Sequence, residues 1–321
     1  MQQFKSVTYA GLQPGPRLIV LGAVHGNEIC GTQGITRLMA ELDSGAVQLL
    51  AGKLTLVPIT NPLAYERKQR MGDRNLNRNL CPTDQPVEFE DHIANWLCPL
   101  LAEHDVLLDL HSFQAQGRPF AMVGPEDNTG TLEPFAHAAA EEALALRLGV
   151  GRLVDGWLST YARGVERRRA AMGPGASRSQ LLNADARYGV GTTEYMRAQG
   201  GYALTLECGQ HDDPHAPEVA YQAIHNTLAH LGLIAATAPQ PVAEVEALHI
   251  YEVIDRAHPD DAFAHGWSSF DRLSAGDLIG TRHDGTPVKA DCEGYILFPN
   301  ARAQAGQEWF YLARPTPRFA G

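Results

Sequence analysis

Short apolar runs that stop abruptly at small or polar residues constrain this chain more than any other feature. Residues 17–24 (RLIVLGAV), 53–60 (KLTLVPIT), 105–110 (DVLLDL) and 202–208 (YALTLEC) have the length and apolar continuity of strands buried on both faces. Residues 29–42, 90–103, 133–148 and 216–232 predict helices, the third of them rich in alanine and leucine. This alternation predicts an α/β fold, a mixed and largely parallel sheet with helices on both faces. At 321 residues the chain is long enough for one large domain of this kind and a small second one.

A Pro/Ala-rich stretch, residues 235–244 (AATAPQPVAE), reads as a linker. Beyond it the texture changes to short strand-like runs, 247–255, 277–281, 286–290 and 294–298, between Gly, Asp and Pro turns. The expected division is therefore a catalytic domain over 1–237 and a small all-β domain over 245–321. Part of the latter, SAGDLIGTRHDGTPVKADCEGYILF, looks like the β-sandwich of biotinyl or lipoyl carrier domains. It lacks their Met-Lys-Met tip, so Lys289 reads as a surface residue.

A formal charge of −11 argues against nucleic acid as a partner. No apolar run reaches the length of a membrane span, and the N-terminus has no signal-peptide core, so a cytoplasmic location is expected. The five cysteines form no CxxC pair and read as reduced packing residues. One basic run, from Arg163 to Arg169, reads as a solvated face, with an anion-attracting rim as the sharper alternative.

Four constellations carry chemistry. Gly22-Ala-Val-His25-Gly-Asn-Glu28 follows the first buried strand. Its turn sets an imidazole and a carboxylate side by side at the end of a strand, where open α/β sheets bind ligands. His111 directly follows the run DVLLDL and supplies a third candidate ligand, with Asp109 able to orient a histidine. A His₂Glu set leaves a coordination position open, which marks catalytic rather than structural zinc. Glu207 closes the strand YALTLEC, where a buried charge without a task would be costly, and is the candidate general base. Arg70 to Asn79 packs three arginines and three asparagines into ten residues, a set suited to carboxylates or to a developing oxyanion.

Taken together, GAVHGNE, Arg70 with NLNR, DLHS and TLECG resemble the succinylglutamate desuccinylase/aspartoacylase family, within the wider zinc carboxypeptidase-like fold. The resemblance covers about residues 17–235 and extends to the layout of the C-terminal β part. It implies one zinc ion per chain held by His25, Glu28 and His111, with Glu207 as general base and acid. It further implies that Arg70 polarises the scissile carbonyl and that Asn77 and Arg78 hold a substrate carboxylate. Arg197 falls where aspartoacylases place a second carboxylate-binding arginine, and Tyr195 lies beside it.

Two departures stand out. Asn75 replaces the acid of the usual DLNR, which is expected to alter the support of Arg78. Gln304 aligns loosely with the C-terminal tyrosine of aspartoacylases. The implied activity is hydrolysis of a small N-acyl amino acid. A metallocarboxypeptidase acting on short peptides is the alternative, and a non-catalytic zinc- or carboxylate-binding protein is the third reading. Neither nucleic acid nor membrane is an expected partner. Homo-oligomers are common in the family, so one is a possible state here.

Overall fold

A computed structural model describes residues 3–171 and 184–319. The first eight strands are β1 (Val7–Ala10), β2 (Gln13–Leu21), β3 (Ala51–Val57), β4 (Val106–Phe113), β5 (Phe120–Met122), β6 (Arg152–Asp155), β7 (Tyr202–Gln210) and β8 (Glu246–Asp255). Six more follow: β9 (Ala262–Phe263), β10 (Asp271–Leu273), β11 (Leu278–Thr281), β12 (Pro287–Lys289), β13 (Gly294–Leu297) and β14 (Glu308–Pro315). Eleven of them form one sheet in the order β1-β3-β2-β4-β7-β5-β6-β8-β14-β13-β10. Strands β3, β2, β4 and β7 run parallel, and β5 reverses against β7. The expected mixed, largely parallel sheet is what the chain forms.

The helices are α1 (Cys30–Ser44), α2 (Pro62–Arg67), α3 (Phe89–Ala102), α4 (Ala138–Ala145), α5 (Trp157–Ala171), α6 (Thr192–Ala198) and α7 (Ala216–His230). Successive residues of β2 point to opposite faces, so both faces need cover. Leu18 and Val20 pack with Ile35 of α1 and Ile224 of α7. Ile19 and Leu21 pack with Leu97 of α3 and Met196 of α6. All four β2 residues are fully buried, which explains why the run reads as continuously apolar.

Three expectations change. Residues 133–137 are not helical: Phe135 exchanges two backbone hydrogen bonds with Asn128, and α4 starts only at Ala138. Of the arginines of 163–169, Arg163, Arg167 and Arg169 are exposed as a solvated face would be, but Arg163, Arg167 and Arg168 also fasten α5 to β8. Arg163 donates to the Tyr251 carbonyl at 2.9 Å, Arg167 to the Val253 carbonyl at 2.6 Å, and Arg168 to both oxygens of Asp255 at 2.6 and 2.7 Å. Beyond the linker, β8 pairs in parallel with β6, so β8, β14, β13 and β10 prolong the main sheet. Only β12, β11 and β9 make a separate sheet, and Lys289 is exposed on it.

Asp261 ties this small sheet down. Its buried carboxylate accepts from Arg282 at 2.8 Å and from the backbone N–H groups of Ala257, His258 and His283. Burial opposes the charge, but these donors outweigh it and hold the carboxyl well below the usual carboxylate range. A depressed folded-state pKa means the stabilisation is complete above the unfolded value of about 4 and is lost as pH falls below it. Asp261→Asn is expected to cost about 2 kcal/mol at pH 7, with the difference from the parent shrinking towards pH 3 in urea titrations. A difference independent of pH would show that charge is not what Asp261 contributes.

Candidate active site

The site lies where the sheet order reverses direction. From β2 the chain passes to β3 on one side, while β4 pairs with β2 on the other, leaving a crevice beyond the carboxyl ends of β2 and β4. After β2 the backbone turns through Ala23, a non-glycine residue at φ 49°. Gly26 then passes so close to α2 that a Cβ would lie 2.0 Å from the Ala64 carbonyl carbon, so only glycine fits. This turn delivers His25 and Glu28, and the end of β4 delivers His111.

These three residues are buried, and their ligand-capable atoms all lie within 4.8 Å of one another. His25 Nδ1 is 2.9 Å from Glu28 Oε1, and His111 Nδ1 is 2.8 Å from Glu28 Oε2. The far nitrogens are held from behind: His25 Nε2 lies 3.0 Å from Asn75 Oδ1, and His111 Nε2 lies 2.9 Å from Asp109 Oδ2. The Asn75 oxygen is an acceptor, which places the His25 proton on Nε2 and turns its Nδ1 lone pair towards Glu28, whereas His111 Nε2 lies near Asp109 without a hydrogen bond to it. His25 Nδ1 is buried without a hydrogen-bond partner. Burial, with the nearby Arg70 charge, pushes His25 down to about 4, so its imidazole is neutral. A lone pair set against a carboxylate oxygen is repulsive unless a cation lies between them. Two nitrogens and one carboxylate are also the donor set zinc prefers. The cluster therefore fits a divalent metal.

Glu207 faces this cluster from β7. It is the register partner of His111 across the β4–β7 pair, and it lines the same cavity. Its Oε2 is buried with no hydrogen-bond partner. Burial first, then the charge of Glu28, pushes the carboxyl up to about 7. Arg70 reaches the cluster from the opposite side, donating to Glu28 Oε1 at 2.8 Å.

The cavity has a volume of about 1230 Å³. Asn77 and Arg78 both line it. The Asn77 side-chain Oδ1 accepts from Thr192 N at 2.9 Å, and a Cβ at Gly191 would lie 1.9 Å from that oxygen. The Arg78 guanidinium rests 4.6 Å from the Trp157 ring centre and donates to the Asn77 carbonyl. The Asn75 side chain lies against His25 and not against Arg78.

Arg197 and Tyr195 also depart from expectation. Arg197 is buried and commits four of its five N–H groups to Glu141, Glu133 and the Ala203 carbonyl, so most of it is engaged within the protein although it lines the cavity. Tyr195 is outside the cavity lining. Glu194 and Arg197, three apart on α6, share the cavity side, which turns Tyr195 towards α3 and Cys98. Gln304 is exposed away from the cavity, whereas Tyr311 of β14 lines it with its hydroxyl buried and unpartnered.

Glu90 escaped the sequence reading. It is fully buried and accepts from Asn61 Nδ2 at 2.8 Å and from the backbone N–H groups of Gly72, Asp73 and Arg74 at 2.9 to 3.1 Å. It thereby shapes the loop that carries Arg70, Asn75 and Arg78. An acid in the first turn of a helix is common, so nothing local sets it apart. Glu90→Leu strands these donors and is expected to cost about 3 kcal/mol, measured by chemical denaturation. Unchanged stability would show that the loop holds its shape without this carboxylate.

Fold and site define a class: an α/β protein with a candidate divalent-metal centre at the switch point of its sheet. The model of the succinylglutamate desuccinylase/aspartoacylase catalytic domain matches residues 14–140. That segment, carrying His25, Glu28 and His111, is similar to the family's catalytic domain. Among solved structures the chain is similar to a succinylglutamate desuccinylase/aspartoacylase from Rhodobacter sphaeroides, at 19% identity and TM-score 0.70, covering 98% of this chain and 90% of that one. It is also similar to the product-bound ectoine utilization protein EutE from Ruegeria pomeroyi, at 20% identity, TM-score 0.69 and coverage of 96% and 88%. A third likeness is to a succinylglutamate desuccinylase from Vibrio cholerae, at 17% identity, TM-score 0.68 and coverage of 97% and 85%. No curated protein matches the sequence. Among the described residues no helix is long and apolar enough to cross a membrane.

Proposed function

We propose that this protein is a zinc-dependent amide hydrolase that removes the acyl group from a small N-acyl amino acid or a related carboxylate-bearing amide. The observation that carries this reading is the His25–Glu28–His111 cluster with the unpartnered Glu207 carboxylate beside it. His25, Glu28 and His111 would hold the metal, which when bound supplies Lewis acidity and makes water a better nucleophile. Glu207 takes the proton from the attacking water and delivers it to the leaving nitrogen. Arg70 stabilises the negative charge that develops on the carbonyl oxygen. Arg78, with the Asn77 amide and the Tyr311 hydroxyl, holds a substrate carboxylate and fixes orientation.

The division into a catalytic unit over 1–237 and a C-terminal β unit over 245–321 belongs to this proposal. Gln307, Glu308 and Tyr311 from the C-terminal strands wall the cavity. This favours small amides over the peptides that a carboxypeptidase takes. The test is metal analysis of the purified protein together with a screen of N-acyl amino acids and short peptides for released amine. Zinc at about one per chain with cleavage of the acyl amino acids is expected. Preferential cleavage of peptides, or none of either class, would overturn the reading.

A further inference from the structure

Three chain segments carry the chemistry proposed above: the turn with His25 and Glu28, the end of β4 with His111, and the end of β7 with Glu207. His211 joins all three. Between the register pairs His111–Glu207 and Phe113–Gln210, β7 has one residue more than β4 and bulges, with Gly209 at φ 130°. A bulge bends its strand and re-aims the side chains beside it. Just past β7, His211 N donates to the Phe113 carbonyl at 3.0 Å. The His211 ring meets Ser112 Oγ at 2.8 Å through Nδ1 and Asn27 Nδ2 at 3.3 Å through Nε2. Ser112 directly follows His111, and Asn27 stands between His25 and Glu28.

The chemistry of these contacts suits a brace. A neutral imidazole has one donor and one acceptor nitrogen, while a hydroxyl and a carboxamide can each take either role, so both bonds form in either tautomer. Burial holds His211 below the usual histidine range, so at neutral pH the ring adds no positive charge next to a cation site. The metal ligands also need bracing. His25 Nδ1 and Glu28 Oε1 lie 2.9 Å apart, with a lone pair set against a carboxylate. Without a cation that contact pushes the cluster open, so bonds from outside the cluster must keep the ligands close.

Resting on the metal reading above, we propose that His211 is a positioning residue that holds the two ligand-bearing turns together, at metal-binding distance, against the strand of Glu207. Its ring bonds go to the neighbours of the ligands, so it acts through Asn27 and Ser112.

Three variants test this. His211→Phe keeps a ring and removes both bonds. His211→Asn places a polar atom near the position of Nδ1 and keeps the Ser112 bond. His211→Gln does the same for Nε2 and the Asn27 bond. Zinc affinity, measured by competition with a chromophoric chelator, is expected to weaken about 10-fold in His211→Phe and about threefold in His211→Asn and His211→Gln. Asn27 and Ser112 line the cavity, where water replaces a lost partner. The melting temperature of the metal-free protein should therefore move by no more than about 2 °C. An affinity for His211→Phe within about twofold of the parent overturns the proposal. So does an equal loss in all three variants, or a fall of about 10 °C in metal-free melting temperature that accompanies the lost affinity. Should His211→Phe not fold, the other two variants decide, and parent-like affinity in both overturns the proposal. Should the parent take up no zinc, the metal reading fails. Hydrogen exchange of the metal-free proteins then decides the brace: faster exchange over residues 24–30 and 110–114 in His211→Phe supports it, and unchanged exchange overturns it.

Discussion

Glu207→Gln is expected to keep its metal and its fold and to lose about 1000-fold in kcat. The glutamine amide has the size of the carboxylate but cannot accept a proton from water. In the folded protein Glu207 Oε2 has no partner, so the substitution breaks no hydrogen bond at that atom. KM should change little, because the lost interaction belongs to the transition state. Steady-state kinetics beside metal analysis and a melting curve test this. A kcat within about threefold of the parent would exclude proton transfer by Glu207.

His111→Ala is expected to abolish both zinc binding and turnover. His111 stands between Glu28 and Asp109, at 2.8 and 2.9 Å. Its removal leaves two buried carboxylates facing a gap with one metal donor gone. Saturating zinc should raise the melting temperature of the metal-stripped parent by about 10 °C, as expected for a ligand present far above its dissociation constant. The same addition should leave His111→Ala unchanged. The control is the exposed His265, whose alanine variant should respond as the parent does. Stabilisation of His111→Ala by zinc to the same extent would move the metal elsewhere.

Much of this was legible before any coordinates. The run RLIVLGAV could only be a strand buried on both faces, and β2 has Leu18 to Leu21 with no exposed surface. Strand ends followed by His25 and His111 pointed to one crevice, because parallel strands in neighbouring positions open at the same edge. Other elements gave no such signal. Strand β14 pairs through much of its length with β8, yet its sequence, EWFYLARP, mixes apolar and charged residues without strand alternation. Glu90 looks like an ordinary first-turn acid, and its significance lies in which N–H groups it meets.

The sequence by itself determined the central strands, the principal helices and the candidate metal ligands, because burial and ligand type are properties of local pattern. Only the tertiary structure decided which charges are already satisfied. Arg197 and Arg78 are the same residue type in comparable sequence surroundings. One is ion-paired with Glu133 and Glu141 and the other has no carboxylate within ion-pair distance among the described residues, because whether a charge is paired depends on partners dozens of residues away along the chain.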